Sequence, residues 1–204
     1  VLGNEREHII RAGVAIIGRH CIIEGRGAHA LPGKRGMDGK TSSGPCRDGS
    51  PGRHGGKGFD GRSGTDLFLY LEKIIVNGIL IIDLSGGNGG DGGNGGDGGG
   101  GSPGTLHCRG GDGGKGGNGG PGGIGGAGGT LNFGGCDVET LRMMLGSRII
   151  VNTMGGNSGY GGIPGAGGLA GPGPAKMNGR AGVSGLNGAR GRAGNNGSIQ
   201  FEQQ

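Results

Sequence analysis

Tryptophan is absent from this 204-residue sequence, and aromatic residues make up only 3% of it. A chain so poor in large apolar side chains cannot build a conventional core, and glycine, its commonest residue, loses the most backbone entropy on folding. Proline is scarce too: 8 residues are too few for a collagen triple helix, which needs abundant proline in strict Gly-X-Y order and three chains. No apolar run approaches 18 residues, so no membrane span is expected. No signal peptide is visible, and since the chain begins at Val1 that decides nothing. The four cysteines include no CxxC pair and no Cys/His spacing typical of zinc. No Ser/His/Asp, Cys/His or paired-carboxylate arrangement emerges, so the expectation is a non-enzyme with no catalytic, cofactor-binding or metal-ligating residues.

What the sequence has is glycine, 64 residues of it, in metre. Residues 86–129 contain 27 glycines: a Gly-Gly-X beat runs from Gly86 through Asn88, Asp91, Asn94 and Asp97, breaks around Pro103, Leu106, His107 and Cys108, and resumes from Gly110 through Asp112, Lys115, Asn118, Pro121, Ile124 and Ala127. A period of three matches neither the α-helix nor the β-strand, but it does match a polyproline II-type helix with three residues per turn. Looser runs carry one glycine per triplet, at Gly49–Gly64 and Gly179–Gly197. Each triplet position forms one longitudinal face. A Gly-Gly-X helix is therefore bare on two faces and can be flanked closely on both, pairing backbone N–H and C=O groups across helices. The expectation is that 86–99 and 110–129 lie inside an array, with 49–64 and 179–197 at its edges. The Asn88–Asp97 stripe reads as solvent-facing. The 112–127 stripe turns apolar toward an end expected to meet a β layer.

Between the glycine runs lie β-branched apolar bursts that read as strands. The expected organisation is one glycine-rich domain over 1–204. Its strand segments are at about 8–23, 67–84, 130–151 and 198–202, and its glycine excursions at about 33–64, 86–129 and 155–197. The fold class is mostly irregular and β, a bundle of polyglycine II helices on a small layer of short strands with little or no α-helix. Asn77-Gly78 is a two-residue hairpin signal, the alternative being a strand of a stacked solenoid bent at Gly78. Residues 138–145 are undecided between helix and strand. Internal repetition shows in Ile74-Ile75-Val76-Asn77 against Ile149-Ile150-Val151-Asn152, and in Gly86-Gly87-Asn88 against Gly155-Gly156-Asn157. Thr65, Thr130 and Ser198 each end a glycine excursion just before a strand.

Cys46 and Cys108 both sit in breaks between glycine runs, which suits a disulfide stapling two turns and an oxidising, extracellular or cell-surface setting. The alternative is that Cys21, Cys46, Cys108 and Cys136 are all reduced and buried, since Cys21 lies in an apolar strand-like stretch. Several chemical motifs are weak. Asp91, Asp97 and Asp112 loosely follow a calcium nonapeptide but lack its apolar residue. Gly39-Lys40-Thr41 resembles the end of a P-loop, yet the required upstream glycine is displaced. Arg109-Gly110-Gly111 is a lone RGG without aromatic platforms, so no nucleic-acid partner is expected. His8, His20, His29, His54 and His107 share no metal-ligand spacing and read as surface or turn histidines.

The tripeptide beat, low aromatic content and cysteine-bearing turns resemble polyglycine II bundle proteins: the glycine-rich antifreeze protein of snow fleas, receptor-binding adhesins of some phage tail fibres, and the glycine-rich domain of Obg-type GTPases. The resemblance covers the glycine runs, more than half the chain, and is one of conformation and repeat; it carries over no functional residue. The expected function is a structural or assembly protein: an extracellular fibre subunit or rigid surface module that associates with itself. Basic–acidic–basic charge order fits that, with +5 over 1–65, −3 over 66–154 and +3 over 155–204; the same order would suit a modest affinity for anionic surfaces. The alternative is a binding module. It would be either an ice-binding face using Ala166, Ala181, Ala189 and Ala193, against which Arg180, Arg190 and Arg192 argue, or an adhesin using loops 40–48 and 100–109.

Overall fold

Apolar strands and glycine excursions alternate along the chain, and every excursion brings its next strand back beside the previous one. The computed structural model describes residues 2, 5–135 and 138–202. Strands β1 (Glu7–Ile17) and β2 (His20–Glu24) precede the first excursion, and β3 (Asp66–Val76) and β4 (Ile79–Asp83) the second. Strand β5 (Leu131–Gly134), helix α1 (Val138–Met144) and β6 (Ile149–Asn152) precede the third, and β7 (Ile199–Glu202) follows it. Two parallel sheets result, ordered β1-β3-β5-β7 and β2-β4-β6. Parallel neighbours need a long crossover, and here the glycine excursion supplies it in place of the usual helix.

The core is small. Leu67, Leu69 and Leu71 of β3, Leu80 and Ile82 of β4, Leu131 and Phe133 of β5 and Ile149 of β6 are buried, with Leu141 of α1 closing the cluster. Along β3 the inward positions change parity after Leu71 and resume at Ile74 and Val76. The shift falls where the β1–β3 pairing is interrupted opposite Gly13, one of the glycines that divide the apolar bursts of β1. The undecided segment 138–145 is helical: Glu139 stands in its first turn and Arg142 in its last, as the helix dipole favours.

Two expectations are corrected. Asn77-Gly78 makes no hairpin, because β3 and β4 belong to different sheets and Gly78 lacks the positive φ of a primed turn. The solenoid alternative holds: a Cβ at Gly78 would lie 2.1 Å from the Arg19 carbonyl oxygen, so glycine is there for close stacking of successive corners. Ile74–Asn77 and Ile149–Asn152 are likewise not equivalent. Residues 149–152 pair with Leu80–Asp83, whereas the Gly-Gly-Asn recurrence is a true repeat, since the Gly89 amide donates to Asn157.

The excursions comprise six extended segments: g1 (25–41), g2 (48–64), g3 (84–102), g4 (110–129), g5 (153–172) and g6 (178–197). Backbone bonds at every third residue join them. Outgoing g1, g3 and g5 form one row (Gly33 N–H to Asp91 C=O 2.7 Å; Gly92 to Tyr160 2.8 Å), and returning g2, g4 and g6 a second (Gly55 to Asn118 2.8 Å; Gly119 to Leu186 2.9 Å). Between rows, Gly56 donates to Lys34, Gly93 to Gly56, Gly120 to Gly93, Gly162 to Gly120 and Gly188 to Gly162, all at 2.8–2.9 Å. Segments g3 and g4 each bond four neighbours, g2 and g5 three, and g1 and g6 two. The interior placement of 86–99 and 110–129 therefore holds, as does 179–197 at an edge. Segment 49–64 is less peripheral than its single-glycine beat implies, and 25–41 takes the other corner.

Candidate interaction site at the loop tip

Each pair of segments reverses at the end of the array away from the strands, so three turns stand in a line: Gly44–Cys46, 103–108 and Pro174–Lys176. The Cys46 amide donates to the Pro103 carbonyl and the Gly104 amide to Pro172, each at 2.8 Å. A Cys46–Cys108 disulfide, with Cα atoms 6.0 Å apart, ties the first turn to the second. Cys21 is a free thiol, half-buried against the core, and Cys136 lies outside the described residues. Cys46, Ala175 and Lys176 adopt left-handed backbone (φ 62°, 49° and 68°), which costs an L-residue about 1–2 kcal/mol each. Leu106 in the middle turn is 84% exposed, and Arg47, Lys176 and Met177 at the two outer turns are exposed as well. Loops 40–48 and 100–109 are thus brought together. The third turn, 172–178, went unread in the sequence, although the Pro172-Gly173-Pro174 punctuation marks it.

The polar stripes along the rows have a second use. Asn88, Asp91, Asn94 and Asp97 are at the surface, as read, but each Oδ1 accepts the backbone N–H of Asn157, Tyr160, Ile163 or Ala166 at 2.7–3.0 Å. Asp112 accepts from Arg180 and Asn118 from Leu186 in the other row. In g2, Asp48, His54 and Asp60 accept from Asp112, Asn118 and Ile124; in g1, His29 accepts from Asn88 and Asp38 from Asp97. These side chains satisfy N–H groups that face solvent, where no further segment packs. The carboxylates weighed for calcium are backbone acceptors spread along the rows, and no cluster of three or more metal-ligating side chains occurs among the described residues.

Two of these carboxyls titrate low. The Ile124 N–H, and after it the Lys57 ammonium, hold Asp60 below the usual carboxylate range. The Arg180 N–H, then the Arg109 guanidinium, do the same for Asp112. On the sheet, burial and then Glu202, which accepts the Tyr70 hydroxyl at 3.2 Å, push Tyr70 up. Thr41, from the P-loop-like tripeptide, accepts the Gly100 amide and belongs to the same acceptor series. Ile124 is 44% exposed on the returning row rather than buried against the strands. No helix among the described residues is long and apolar enough to cross a membrane.

No protein-family model matches the chain, and no curated protein matches it. Among solved structures it is similar to the springtail antifreeze protein from Granisotoma rainieri, a bundle of nine polyproline type II helices. The identity is 25%, over 88% of this chain and 95% of that one, with a TM-score of 0.14. An overlap that low carries no argument about this chain.

Proposed function

We propose that the six glycine segments are polyglycine II helices and that the chain is a non-enzymatic structural or assembly module, extracellular or at a cell surface. The observation that carries the reading is the bonding of the interior triplet. In g3, Gly92 and Gly93 donate to g5 and g2, while Gly93 and Asp91 carbonyls accept from g4 and g1, so each turn is anchored on four sides. Such a lattice is stiff, and the polar side chains along its rows serve as acceptors for backbone N–H groups. Self-association is supported by the edge strand β1, 11 residues long with Ile9, Val14 and Ile16 exposed, since unpaired strand edges invite a further strand. The disulfide supports an oxidising compartment. Electron microscopy and sedimentation over a range of concentrations test the reading. Regular polymers or discrete oligomers that dissociate in Val14→Lys are expected; a monomer at every concentration sinks assembly.

A second reading, a receptor-binding module, is favoured by one feature: the disulfide fixes two of the three tip loops side by side around exposed Leu106. Binding of labelled protein to cells, lost in Leu106→Asp with the fold intact, would support it; equal binding by the variant would count against it. An ice-binding face draws no support. Ala166 lies on the outgoing row and Ala189 on the returning row, where each carbonyl accepts from an interior segment, while Ala181 and Ala193 occupy a different triplet position from Ala189.

A further inference from the structure

The corner segment g1 and its neighbour g2 close one end of the array, and the side chains projecting off that end come from one triplet position of each. On g1 these are Ala28, Leu31, Lys34, Met37 and Lys40; on g2 they are Ser50, Arg53, Gly56, Phe59 and Arg62. Backbone bonds pair them in rows: Arg62 with Ala28, Phe59 with Leu31, Gly56 with Lys34, Arg53 with Met37 and Ser50 with Lys40. The strip is straight and runs about 37 Å at about 3.1 Å per residue.

Its composition is one-sided: four cations, three large apolar residues, three small residues and no carboxylate. Leu31 is 72%, Met37 61% and Phe59 62% exposed. The carboxylates of these segments, Asp38, Asp48 and Asp60, are turned onto the broad rows, where they accept backbone N–H groups. Lys34, Lys40 and Arg53 form no ion pair among the described residues. At the strand end the strip runs into a cleft of about 230 Å³, lined in part by Arg6, Arg26, Arg62 and Ser63; Glu5 is the one carboxylate among its described lining residues, and Arg26 is ion-paired with Glu24.

We propose that this end of the array docks on anionic phospholipid surfaces, with the cations at the level of the headgroup phosphates and the arginine-lined cleft receiving one of them. Charge alone would suit any polyanion. The three apolar side chains set between the cations choose the lipid: a hydrated polysaccharide or nucleic-acid backbone offers them nothing, whereas the bilayer interface takes apolar groups beneath the phosphates and lets lysine and arginine reach up to water. A straight, stiff strip also meets a flat surface along its whole length without further ordering cost. The strip touches the tip loops only at Lys40 and reaches the start of β1 only through Arg6, so its central residues stand apart from both whether or not the chain self-associates.

Co-sedimentation of the full chain with phosphatidylcholine vesicles, with and without phosphatidylserine, tests it. Binding is expected only with phosphatidylserine and is expected to weaken with salt. Each cation near an anionic leaflet contributes about fivefold, so Lys34→Glu with Arg53→Glu should weaken binding by about 25-fold or more. Leu31→Ser with Phe59→Ser should weaken it on the same vesicles at unchanged charge, and Arg190→Glu on the opposite corner should leave it intact. Circular dichroism and the unfolding midpoint check that these exposed substitutions leave the fold in place. Three results would overturn the proposal: no binding to phosphatidylserine vesicles, equal losses in Arg190→Glu and the strip variants, or vesicle binding indifferent to Leu31→Ser and Phe59→Ser while soluble heparin competes fully.

Discussion

A methyl group is the unit of tolerance in this molecule. A Cβ at Gly93 would lie 2.0 Å from the Lys34 carbonyl oxygen, while one at Gly18 meets nothing within 4 Å. The Gly93 contact is with fixed backbone of the neighbouring segment, which has no room to move, while Gly18 faces open space. Gly93→Ala should therefore lower unfolding stability by about 2–3 kcal/mol, as overpacking does. Gly18→Ala should stay within about 0.5 kcal/mol of the parent, both read from denaturant midpoints. The acceptor side chains make a pH-dependent counterpart. Asp60 and Asp112 have folded pKa values below their unfolded ones, so the stability they add is present above the unfolded carboxylate pKa and is lost as pH falls through the folded values. Asparagine keeps the accepting oxygen and cannot protonate, as Asn118 already demonstrates in the same row. Asp60→Asn with Asp112→Asn should flatten the acid limb of a stability–pH curve measured by thermal unfolding, and an unchanged acid limb would refute this account of the two carboxyls.

At the scale of elements, the strands and the segments divide the work. The strands supply the buried apolar cluster; the segments bury almost nothing except backbone and hold together by hydrogen bonds. The turns between segments add no buried apolar cluster and are joined by only a few backbone bonds, such as Cys46 to Pro103 and Gly104 to Pro172, so the Cys46–Cys108 bridge is a main constraint there. Removing it with Cys46→Ser and Cys108→Ser should cost about 2–4 kcal/mol. The loss should be seen as a lower unfolding midpoint matched by the reduced parent, with amide protection falling first at the tip and persisting beside the strands. Strand existence was legible from β-branched bursts and from Thr65, Thr130 and Ser198 at the ends of excursions. Strand pairing was not, because Asn77-Gly78 serves a hairpin and a stacked corner equally well in one dimension. Only the parallel register of β4 between β2 and β6 separates the two.

For the whole molecule, the number of neighbours around a segment orders its protection. Amide exchange should be slowest in 86–101 and 110–129, which bond on four sides, and faster in 27–39 and 179–197, which bond on two. Exchange across 110–129 as fast as in an unfolded peptide would rule out the array altogether. The candidate surfaces follow from the same arrangement. A corner segment bonds the lattice on only two sides, so its remaining face is free to carry bulky residues, as Leu31, Met37 and Lys34 do on g1. Those side chains also stand in the way of close backbone approach on the outer side of g1.

The glycine period was enough by itself to define a three-residue repeat and to rank the two-glycine runs as interior. How many faces of such a segment can be approached depends on which triplet positions lack a side chain. The same one-dimensional pattern also located the turns that carry Cys46 and Cys108. Which segments become neighbours was decided in three dimensions, because pairings such as Asn88 with His29 and with Asn157 span 59 and 69 residues, and turn and strand lengths set that offset. So were the use of polar stripes as backbone acceptors and the gathering of Lys34, Arg53, Leu31 and Phe59 on one edge. Neither leaves a local signal, since each depends on a chain segment that arrives from far along the sequence.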